Sequence, residues 1–479
     1  MKKEKAKKGF RIEHDSLGEK KVPEWAYYGI QTVRAIENFP ISGMGPRPEF
    51  IRATALIKKA AALANMDIGK LDNRRGKVIA QAAGEVAEGL WHDHFMVDVF
   101  QAGAGTSHHM NANEVIANRA NELLGGKRGD YSLVHPNDHV NMSQSTNDVF
   151  PTAMRIAAIF AIEAPLNPWH AKENENLMNE LQRLIDALME KGREFDGIIK
   201  SGRTHLQDAV PVRLGQEFTA YAVAVKRAGD EIRREARRLH ELGIGGSAVG
   251  TGINTHPDYR KRVIHHLCKL TGLKFSGSKD LIASTQSMGV FVSLSGKLRV
   301  LAVELIRIAN DLRLLSSGPR TGLAEIRLPA VQPGSSIMPG KVNPVMAEVL
   351  DMVGFQVIGN DTAITLAAQA GQLELNVMMP VINYNLLQSI HLLTNVIKVF
   401  TERCVKGITA DEARCQELAE RSSGLATILN PVIGYEAAAR LAKEAIATNK
   451  SVRDLVVEKC ILTREEADKI LDPYRMTQP

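Results

Sequence analysis

Apolar residues recur along much of the chain at alternating spacings of three and four, which is the pattern of one buried face of an α-helix. The longest row comprises Phe291, Leu294, Leu298, Leu301, Leu305, Ile308, Leu312 and Leu315. Two shorter rows comprise Leu386, Ile390, Leu393, Ile397 and Phe400, and Leu177, Leu181, Leu184 and Leu188. Rows that persist over several turns predict long helices packed as a bundle. Because such helices also pack between chains, we expect a homo-oligomer.

A chain of 479 residues is too long for one simple core, which predicts two or three domains, and we divide it into three. They are an N-terminal domain over residues 1–146, a central helical bundle over 147–406 and a small C-terminal helical domain over 407–479. The last one begins where the composition shifts to short, charged helices. Within the bundle, Gly243–Gly252 is a Gly-rich loop between helices. It lacks the strand-then-helix context of a dinucleotide motif, so we interpret it as a connection.

The composition agrees with a mainly α globular protein. Of 479 residues, 44% are hydrophobic and only 5% are aromatic, which favours packed helices over a β-sandwich. The net charge of +6 comes largely from the Lys-rich segment Met1–Lys8, which predicts a solvated tail and no nucleic-acid partner. No apolar stretch predicts a membrane span or a secretory signal. Cys268, Cys404, Cys415 and Cys460 match no zinc or disulfide spacing, so we expect free thiols and a cytoplasmic location.

Four polar segments combine hydroxyl, amide and imidazole groups with glycine. They are Gly103–Glu114, Gln144–Asp148, Gly202–Asp208 and Gly334–Asn343. Such groups suit a site that holds carboxylate oxygens through many hydrogen bonds, although each segment alone is more typical of helix caps and turns. The fourth favours a site most, because two serines are followed by Lys341. Asn343 and Pro344 predict an N-cap and a first helical residue, beside which anions are favoured.

The run Gly-Ser-Ser-Ile-Met-Pro-Gly-Lys-Val-Asn-Pro at residues 334–344 resembles the signature of the aspartase/fumarase superfamily. The resemblance extends from Arg11-Ile12-Glu13 and Tyr27-Tyr28-Gly29 to the last sixty residues. It implies a mainly α, three-domain chain whose central long-helix bundle assembles into a homotetramer. It also implies active sites built from three subunits, a dicarboxylate substrate and no required cofactor, with divalent-cation activation left open.

Three features resemble the ammonia-lyases of this superfamily more than its class II fumarases. Ala104 stands where fumarases usually have Ser, Val97–Ala102 resembles an aspartase run, and the stretch Val345–Met378 is closer to aspartases. The resemblance therefore implies a carbon–nitrogen lyase that converts L-aspartate reversibly to fumarate and ammonia. The alternatives are fumarate hydration to malate, elimination from a related amino diacid, and a catalytically silent structural or binding homologue.

The resemblance also implies a role for individual residues. Ser335 is the base that removes a proton, which leaves an aci-carboxylate that must be met by preorganised donors. Thr106, Ser145, Thr146 and Ser336 hold that carboxylate, and Lys341, Asn343 and Thr204 hold the other. Asn147 and His205 lie near the amino group. His205 orients the substrate, with Glu348 as its carboxylate partner.

A serine hydroxyl is a poor base at neutral pH, so Ser335 must act as a stabilised oxyanion. Loop amides and Lys341 are the candidates for stabilising it. Gly334 and Gly340 bracket the loop, which we expect to close over the substrate.

The sequence departs from the superfamily pattern in two places. His109 stands where relatives usually have Asn, and His108 precedes it. The two imidazoles could alter substrate preference or bind a metal with His92 or His94, but no acidic or Cys ligands lie at metal spacing, which favours a polar surface or supporting role. The segment Pro165–Asn176 resembles an insertion that enlarges a loop at a helix junction.

Overall fold

The computed structural model describes residues 9–163, 176–472 and 474–477. The Lys-rich tail Met1–Lys8 and residues 165–175 of the predicted insertion lie outside the described residues. Most described residues are helical and the strands are short, so the predicted mainly α class is confirmed.

Seventeen α-helices lie within the described residues. They are α1 (Ile30–Asn38), α2 (Pro48–Asp67), α3 (Asn73–Ala87), α4 (Thr106–Leu123), α5 (Thr146–Ile162), α6 (Leu177–Glu194), α7 (Leu214–Ala236), α8 (Tyr259–Thr271), α9 (Leu281–Gln286), α10 (Gly289–Leu315), α11 (Val345–Gln369), α12 (Met379–Arg403), α13 (Glu412–Arg421), α14 (Asn430–Ile433), α15 (Tyr435–Thr448), α16 (Val452–Glu458) and α17 (Arg464–Ile470).

The strands pair in twos rather than forming a larger sheet. They are β1 (Phe10–Asp15) with β2 (Gly18–Pro23), β3 (Ile199–Thr204) with β4 (Gln207–Arg213), β5 (Glu241–Leu242) with β6 (Ser276–Gly277), and β7 (Ile326–Arg327) with β8 (Thr409–Ala410). Only the pair β5–β6 is parallel among the described strands. The sequence patterns predicted none of these strands, because each is short and contributes little hydrophobic alternation.

The predicted rows of apolar residues form the buried faces of three long helices. The longest row lies on α10, and the other two lie on α12 and α6. Every member of the three rows is buried. Because these rows are already buried within one chain, any contact between subunits must use other helix faces.

The described residues form two compact units. The first takes its residues from Met1–Met178, Asp230–Val300 and Gln356–Leu392, and the second from Asn179–Gly229, Leu301–Phe355 and Leu393–Pro479. Helices α6, α7, α10, α11 and α12 each contribute residues to both units. The predicted division into three domains at residues 146 and 406 stays a prediction.

The first unit is organised around α2, which packs against α3, α5 and α8. Alanines at 53, 55, 60, 61, 62 and 64 are buried along this helix. Their small side chains let neighbouring backbones approach closely. Lys58 lies in the middle of this run and is fully buried, so it requires polar partners inside the unit.

The C-terminal part of the second unit consists of the short helices that the composition predicted, α13 to α17. Leu425, Leu429, Leu441, Leu455 and Leu471 belong to its apolar cluster. The four cysteines are free thiols, as predicted, and burial raises the pKa of Cys404 and of Cys415 to about 12. Among the described residues, no helix combines the length and apolarity needed to cross a membrane.

Candidate active site

The segment Gln144–Asp148 forms the N-terminus of α5 in the first unit. Ser145 is the N-cap, and a capping box joins it to Asp148, whose Oδ1 accepts from the Ser145 amide at 3.0 Å. This reciprocal arrangement satisfies backbone donors that would otherwise lack partners. Thr146 and Asn147 follow in the first turn and remain partly exposed.

The Gly-rich loop Gly243–Gly252 holds the N-terminus of α5 in place. Asp148 Oδ2 accepts from the amides of Gly245 and Ser247 at 2.9 and 3.0 Å. Asn147 Nδ2 donates to the Ala248 carbonyl at 2.7 Å, which leaves Asn147 Oδ1 as an acceptor. Burial raises the pKa of Asp148 to about 6, while these amides act to lower it. The loop is therefore a backbone clamp on the α5 terminus.

Thr106 is the first residue of α4, and its side chain is exposed. Its Oγ1 donates to the Gly103 carbonyl at 2.7 Å. The preceding Gly105 is the N-cap with a φ of 93°, and a Cβ there would lie 2.1 Å from the Phe150 ring. Glycine is therefore required both for the left-handed turn and for the close approach of α4 to α5.

The histidines at 108 and 109 are core residues, so a surface role is wrong. They are 1% and 2% exposed. His108 Nε2 lies 3.1 Å from Thr54 Oγ1, and burial lowers the pKa of His108 to about 3. His109 Nδ1 lies 2.7 Å from Thr146 Oγ1, so His109 directly supports a predicted site residue.

The histidines at 92 and 94 have separate partners. His92 Nε2 contacts the Val86 carbonyl, and His94 Nδ1 accepts from the Tyr27 amide. Within residues 9–163, 176–472 and 474–477, no three His, Cys, Asp or Glu side chains are grouped so that they could hold a metal ion.

Lys58 is the main polar residue that the sequence reasoning missed. Its Nζ contacts His109 Nε2 and lies 3.1 Å from Asn141 Oδ1 and 3.0 Å from Gln144 Oε1. Burial lowers its pKa well below the usual value, and Asp148 acts in the opposite direction. The signal for it in the sequence is its position inside an alanine-rich helical run.

In the second unit, Thr204 and His205 lie at the end of the β3–β4 hairpin. Thr204 pairs with Gln207, and the two turn residues, His205 and Leu206, have φ values of 56° and 61°. Two successive positive φ angles are those of a type I′ turn, which matches the twist of paired strands. The turn leaves the side chains of Thr204, His205 and Leu206 exposed.

A buried carboxylate anchors this hairpin. Glu325 is 0% exposed and accepts two hydrogen bonds from the Arg203 guanidinium, at 2.8 and 3.1 Å. Lys200 Nζ lies 3.7 Å from the same carboxylate and 3.0 Å from Glu217. Because one strand carries both cations, the ion pairs fix the position of the residues that lead into the turn.

The loop Gly334–Asn343 closes on itself at its base. The Gly334 amide donates to the Lys341 carbonyl at 2.8 Å, and Asn343 Nδ2 donates to the Gly334 carbonyl at 2.7 Å. A Cβ at Gly334 would lie 2.6 Å from that Lys341 oxygen and 2.8 Å from the Asn343 nitrogen. The loop therefore needs glycine at this position because backbone atoms fill the space.

Within this loop, the Ser335 hydroxyl is held by backbone amides. Ser335 Oγ accepts from the amides of Ile337 and Met338 at 3.2 and 2.9 Å. Two N–H dipoles directed at one oxygen favour a negative charge there. Ser336 and Lys341 are exposed, and Lys341 has no carboxylate within ion-pairing distance in the part of the chain that the structure describes.

Asn343 does not cap α11 as the sequence suggested. The helix begins at Val345, and the Pro344 carbonyl accepts from the amides of Ala347 and Glu348. The Asn343 side chain turns back to the Gly334 carbonyl instead. Closing the loop base therefore takes precedence over capping, and the helix starts one residue later than expected.

The expected contact between His205 and Glu348 does not form within one chain. Both belong to the second unit, and the described residues include no hydrogen bond or ion pair between them. Within the first unit the structure brings Thr146 next to His109, and within the second it brings Ser335, Lys341 and Asn343 into one loop.

The chain is similar to many known proteins over nearly its whole length. The family described as Lyase matches residues 18–359, and the family described as Fumarase C C-terminus matches residues 425–478. An aspartate ammonia-lyase from Bacillus subtilis is 53% identical over 98% of this chain and 97% of its own length. A class II fumarate hydratase from Halobacterium salinarum is 50% identical, with 98% and 97% covered.

Among solved structures, one titled fumarate lyase:delta crystallin from Brucella melitensis, bound to cobalt, is 49% identical and superposes with a TM-score of 0.93. It covers 98% of this chain and 100% of the other. Both the fold and nearly the whole length are therefore shared.

The close approach at the loop base predicts that Gly334→Ala opens the loop. Overpacking of this kind costs about 1–3 kcal/mol, which corresponds to roughly 5- to 150-fold faster amide exchange. Hydrogen-exchange mass spectrometry on a peptide spanning residues 334–343 measures this. Gly197→Ala is the matched control, because a Cβ there meets no atom within 4 Å. Equal exchange in the two variants would contradict the prediction.

Proposed function

Because this chain belongs to the lyase family, we propose that it is an aspartate ammonia-lyase, which reversibly eliminates ammonia from L-aspartate to give fumarate. The observation that carries the proposal is the similarity to aspartate ammonia-lyases over nearly the full length of both chains. The signature loop agrees with it, because it presents a serine oxygen to two backbone amides.

Ser335 is the base in this proposal. Its hydroxyl must lose a proton before it can take one from the carbon beside the substrate carboxylate, and the amides of Ile337 and Met338 stabilise the resulting oxyanion. Proton removal produces an aci-carboxylate, and loss of ammonia from the adjacent carbon then yields fumarate. Closure of the loop over the substrate would exclude water from these steps.

The remaining residues bind the two carboxylates and the amino group. Ser145, Thr146 and Ser336 donate to the carboxylate that gains charge, as does Thr106 once its hydroxyl turns away from the Gly103 carbonyl. Lys341, Asn343 and Thr204 donate to the other carboxylate. Asn147 suits the amino group, because its Nδ2 is committed to Ala248 and its Oδ1 is free to accept from an ammonium. Lys341 supplies a positive charge with no carboxylate beside it among the described residues.

His205 orients the substrate, with Glu348 as its carboxylate partner from another subunit. The His205 side chain is exposed at the tip of a hairpin, so it is available to a neighbouring chain. A carboxylate on one imidazole nitrogen would set the tautomer of the ring and leave the other nitrogen for the substrate.

The proposed assembly is a homotetramer with shared sites. In the second unit, α10 and α11 carry exposed apolar side chains at Val303, Val349, Met352 and Phe355. Met352 and Phe355 are 66% and 61% exposed, which is unusual for large apolar groups on regular helices. A second copy of the chain would cover them. The free thiols favour a reducing compartment, in agreement with a cytoplasmic location.

Fumarate hydration is the second candidate function. The relative from Halobacterium salinarum, named a class II fumarate hydratase, has an identity close to that of the ammonia-lyases. Both reactions need a base and a stabilised aci-carboxylate, so the loop itself does not distinguish them. They differ in the group that leaves, which is an ammonium in one case and a hydroxyl in the other.

The two candidate functions predict turnover of different substrates. We expect the protein to form fumarate from L-aspartate and to form little or none from L-malate. The ultraviolet absorbance of fumarate measures both reactions. The reverse reaction should require ammonia. A higher kcat/KM with malate than with aspartate would contradict the ammonia-lyase assignment and favour a fumarase. Turnover of N-substituted aspartates would instead indicate a lyase of a related amino diacid.

The role of Ser335 predicts that Ser335→Ala lowers kcat by about 10²- to 10⁴-fold, because a positioned base contributes a factor of this size. The thermal unfolding curve should stay close to wild type, since Ser335 makes only local contacts with the loop backbone. Turnover within a few fold of wild type would remove Ser335 from the role of base.

The exposed apolar face predicts that Phe355→Arg breaks the tetramer, because a charge buried in an apolar interface is not compensated. Light scattering coupled to size exclusion should give a smaller mass, with loss of aspartate turnover. Glu420→Arg is the matched control, because it adds the same side chain on an exposed, polar face of α13. A Phe355→Arg tetramer with full activity would place the interface elsewhere.

A further inference from the structure

Three polar side chains form a buried chain of contacts that ends at the proposed site. It runs from Lys58 on α2 through His109 on α4 to Thr146 at the start of α5. We propose that His109 is a positioning residue: a Lys58 ammonium holds it as the Nδ1–H tautomer, which donates to Thr146 Oγ1 and directs the Thr146 hydroxyl hydrogen to the substrate carboxylate. This inference rests on the proposed role of Thr146 in binding that carboxylate.

The orientation of two amide side chains identifies Lys58 as a donor. Gln144 Nε2 donates to the carbonyls of Val140 and Met142 at 3.0 and 3.2 Å, so its Oε1 faces Lys58. Asn141 Nδ2 donates to the Gln144 carbonyl at 3.2 Å, so its Oδ1 also faces Lys58. Each amide is oriented by its other contacts, and each presents an acceptor to Nζ.

The third hydrogen of the ammonium has one remaining partner, His109 Nε2. The pKa of His109 is lowered well below its usual value, first by burial and further by the charges of Lys58 and His108, while a hydrogen bond with the Asn141 side chain acts in the opposite direction, and the ring is neutral. A neutral imidazole that accepts at Nε2 carries its hydrogen at Nδ1. Lys58 therefore satisfies all three of its N–H groups and selects one tautomer of His109.

The tautomer of His109 decides what Thr146 can do. A hydroxyl has one hydrogen to donate. If Nδ1–H donates across the 2.7 Å contact, Thr146 Oγ1 is the acceptor and its hydrogen is available to an anion. If Nδ1 carried no hydrogen, the Thr146 hydroxyl would donate its hydrogen to His109. Only lone pairs of the Thr146 oxygen would then face the carboxylate.

The surroundings of Lys58 act against the effect of burial on its charge. Burial lowers its pKa, and the Asp148 carboxylate raises it. Asp148 is held by three backbone amides, which favour its ionised form. The Gly-rich loop thus supports the ammonium indirectly, because it supplies two of those amides.

The same argument distinguishes two substitutions of equal size at position 109. An asparagine can accept from Lys58 with its oxygen and donate to Thr146 with its nitrogen, so it preserves the direction of the chain. An ionised aspartate accepts from both neighbours and therefore takes the Thr146 hydrogen. His109→Asn should retain most of the affinity for aspartate, whereas His109→Asp should raise KM by about 10- to 150-fold, the loss of one hydrogen bond to a charged group.

The direct test is the tautomer itself, measured at neutral pH in the full-length protein labelled with ¹⁵N-histidine. Solid-state nuclear magnetic resonance separates protonated from bare ring nitrogens, and the His109 signals are those lost in His109→Asn. The expected result is a hydrogen on Nδ1 and none on Nε2. A hydrogen on Nε2, alone or on both nitrogens, overturns the proposal.

A double-mutant cycle tests whether His109 acts through Thr146. Thr146→Val keeps the shape and removes the hydroxyl, so adding His109→Asp to it should raise KM little further. An equal rise in KM with and without the hydroxyl would mean that the added negative charge repels the substrate directly, and this overturns the proposal. Thermal unfolding of each variant confirms that the kinetic comparison is made on folded protein.

Failure of the proposed function gives a different result. If Thr146→Val binds and turns over aspartate like wild type, Thr146 is not a carboxylate donor, even where the spectrum shows Nδ1–H. If wild-type protein does not turn over aspartate, the tautomer is still measurable, and binding of succinate by titration calorimetry replaces KM in the cycle.

Discussion

Burial of one apolar face along helices of 18 to 27 residues governs where polar chemistry can be placed in this protein. A helix that buries its side chains over several turns tolerates polar groups mainly at its ends, where backbone amides lack partners. Thr106 begins α4, Thr146 begins α5, and the Ser335 loop leads into α11. Among the residues proposed to contact the substrate, only Thr204 and His205 do not belong to a helix start or to a loop leading into one, and they lie at the end of a hairpin.

Helix ends supply partial positive charge, but they do not by themselves hold side chains in position. In the first unit the positioning comes from buried polar groups. Asp148 accepts three backbone amides, and Lys58 contacts three acceptors. Groups this deeply buried are costly unless they are satisfied. Each of these buried groups therefore has several hydrogen-bond partners in fixed positions. The partly exposed Thr146 is in turn held by a contact with the buried His109.

In the second unit, the Ser335 loop is held in position mainly by hydrogen bonds to its own backbone. Gly334 and Asn343 fasten the base of the loop, and the amides of Ile337 and Met338 hold the Ser335 oxygen inside it. Thr204, Lys341 and Ser336 remain exposed in a single chain, as expected of groups that bind a ligand or a neighbouring subunit. The Arg203–Glu325 pair has no such exposure and fixes the strand that carries Thr204.

The amino-acid sequence by itself determined the helical class, the buried rows on α6, α10 and α12, and the segments that carry the polar groups, because spacing along a helix is a local property. Only the tertiary structure decided which residues support those groups. Nothing in the local sequence distinguishes Lys58 from a surface lysine, and its role follows from the packing of α4 and α5 around it. The Gly-rich loop has the sequence of a simple connection, and its role follows from the hydrogen bonds of its amides to Asp148. Asn343 likewise looks like a cap until the loop closes. The contacts of Lys58 and Asp148 join residues far apart in the chain, and the Asn343 contact depends on how the loop folds, so spacing along a helix encodes none of them.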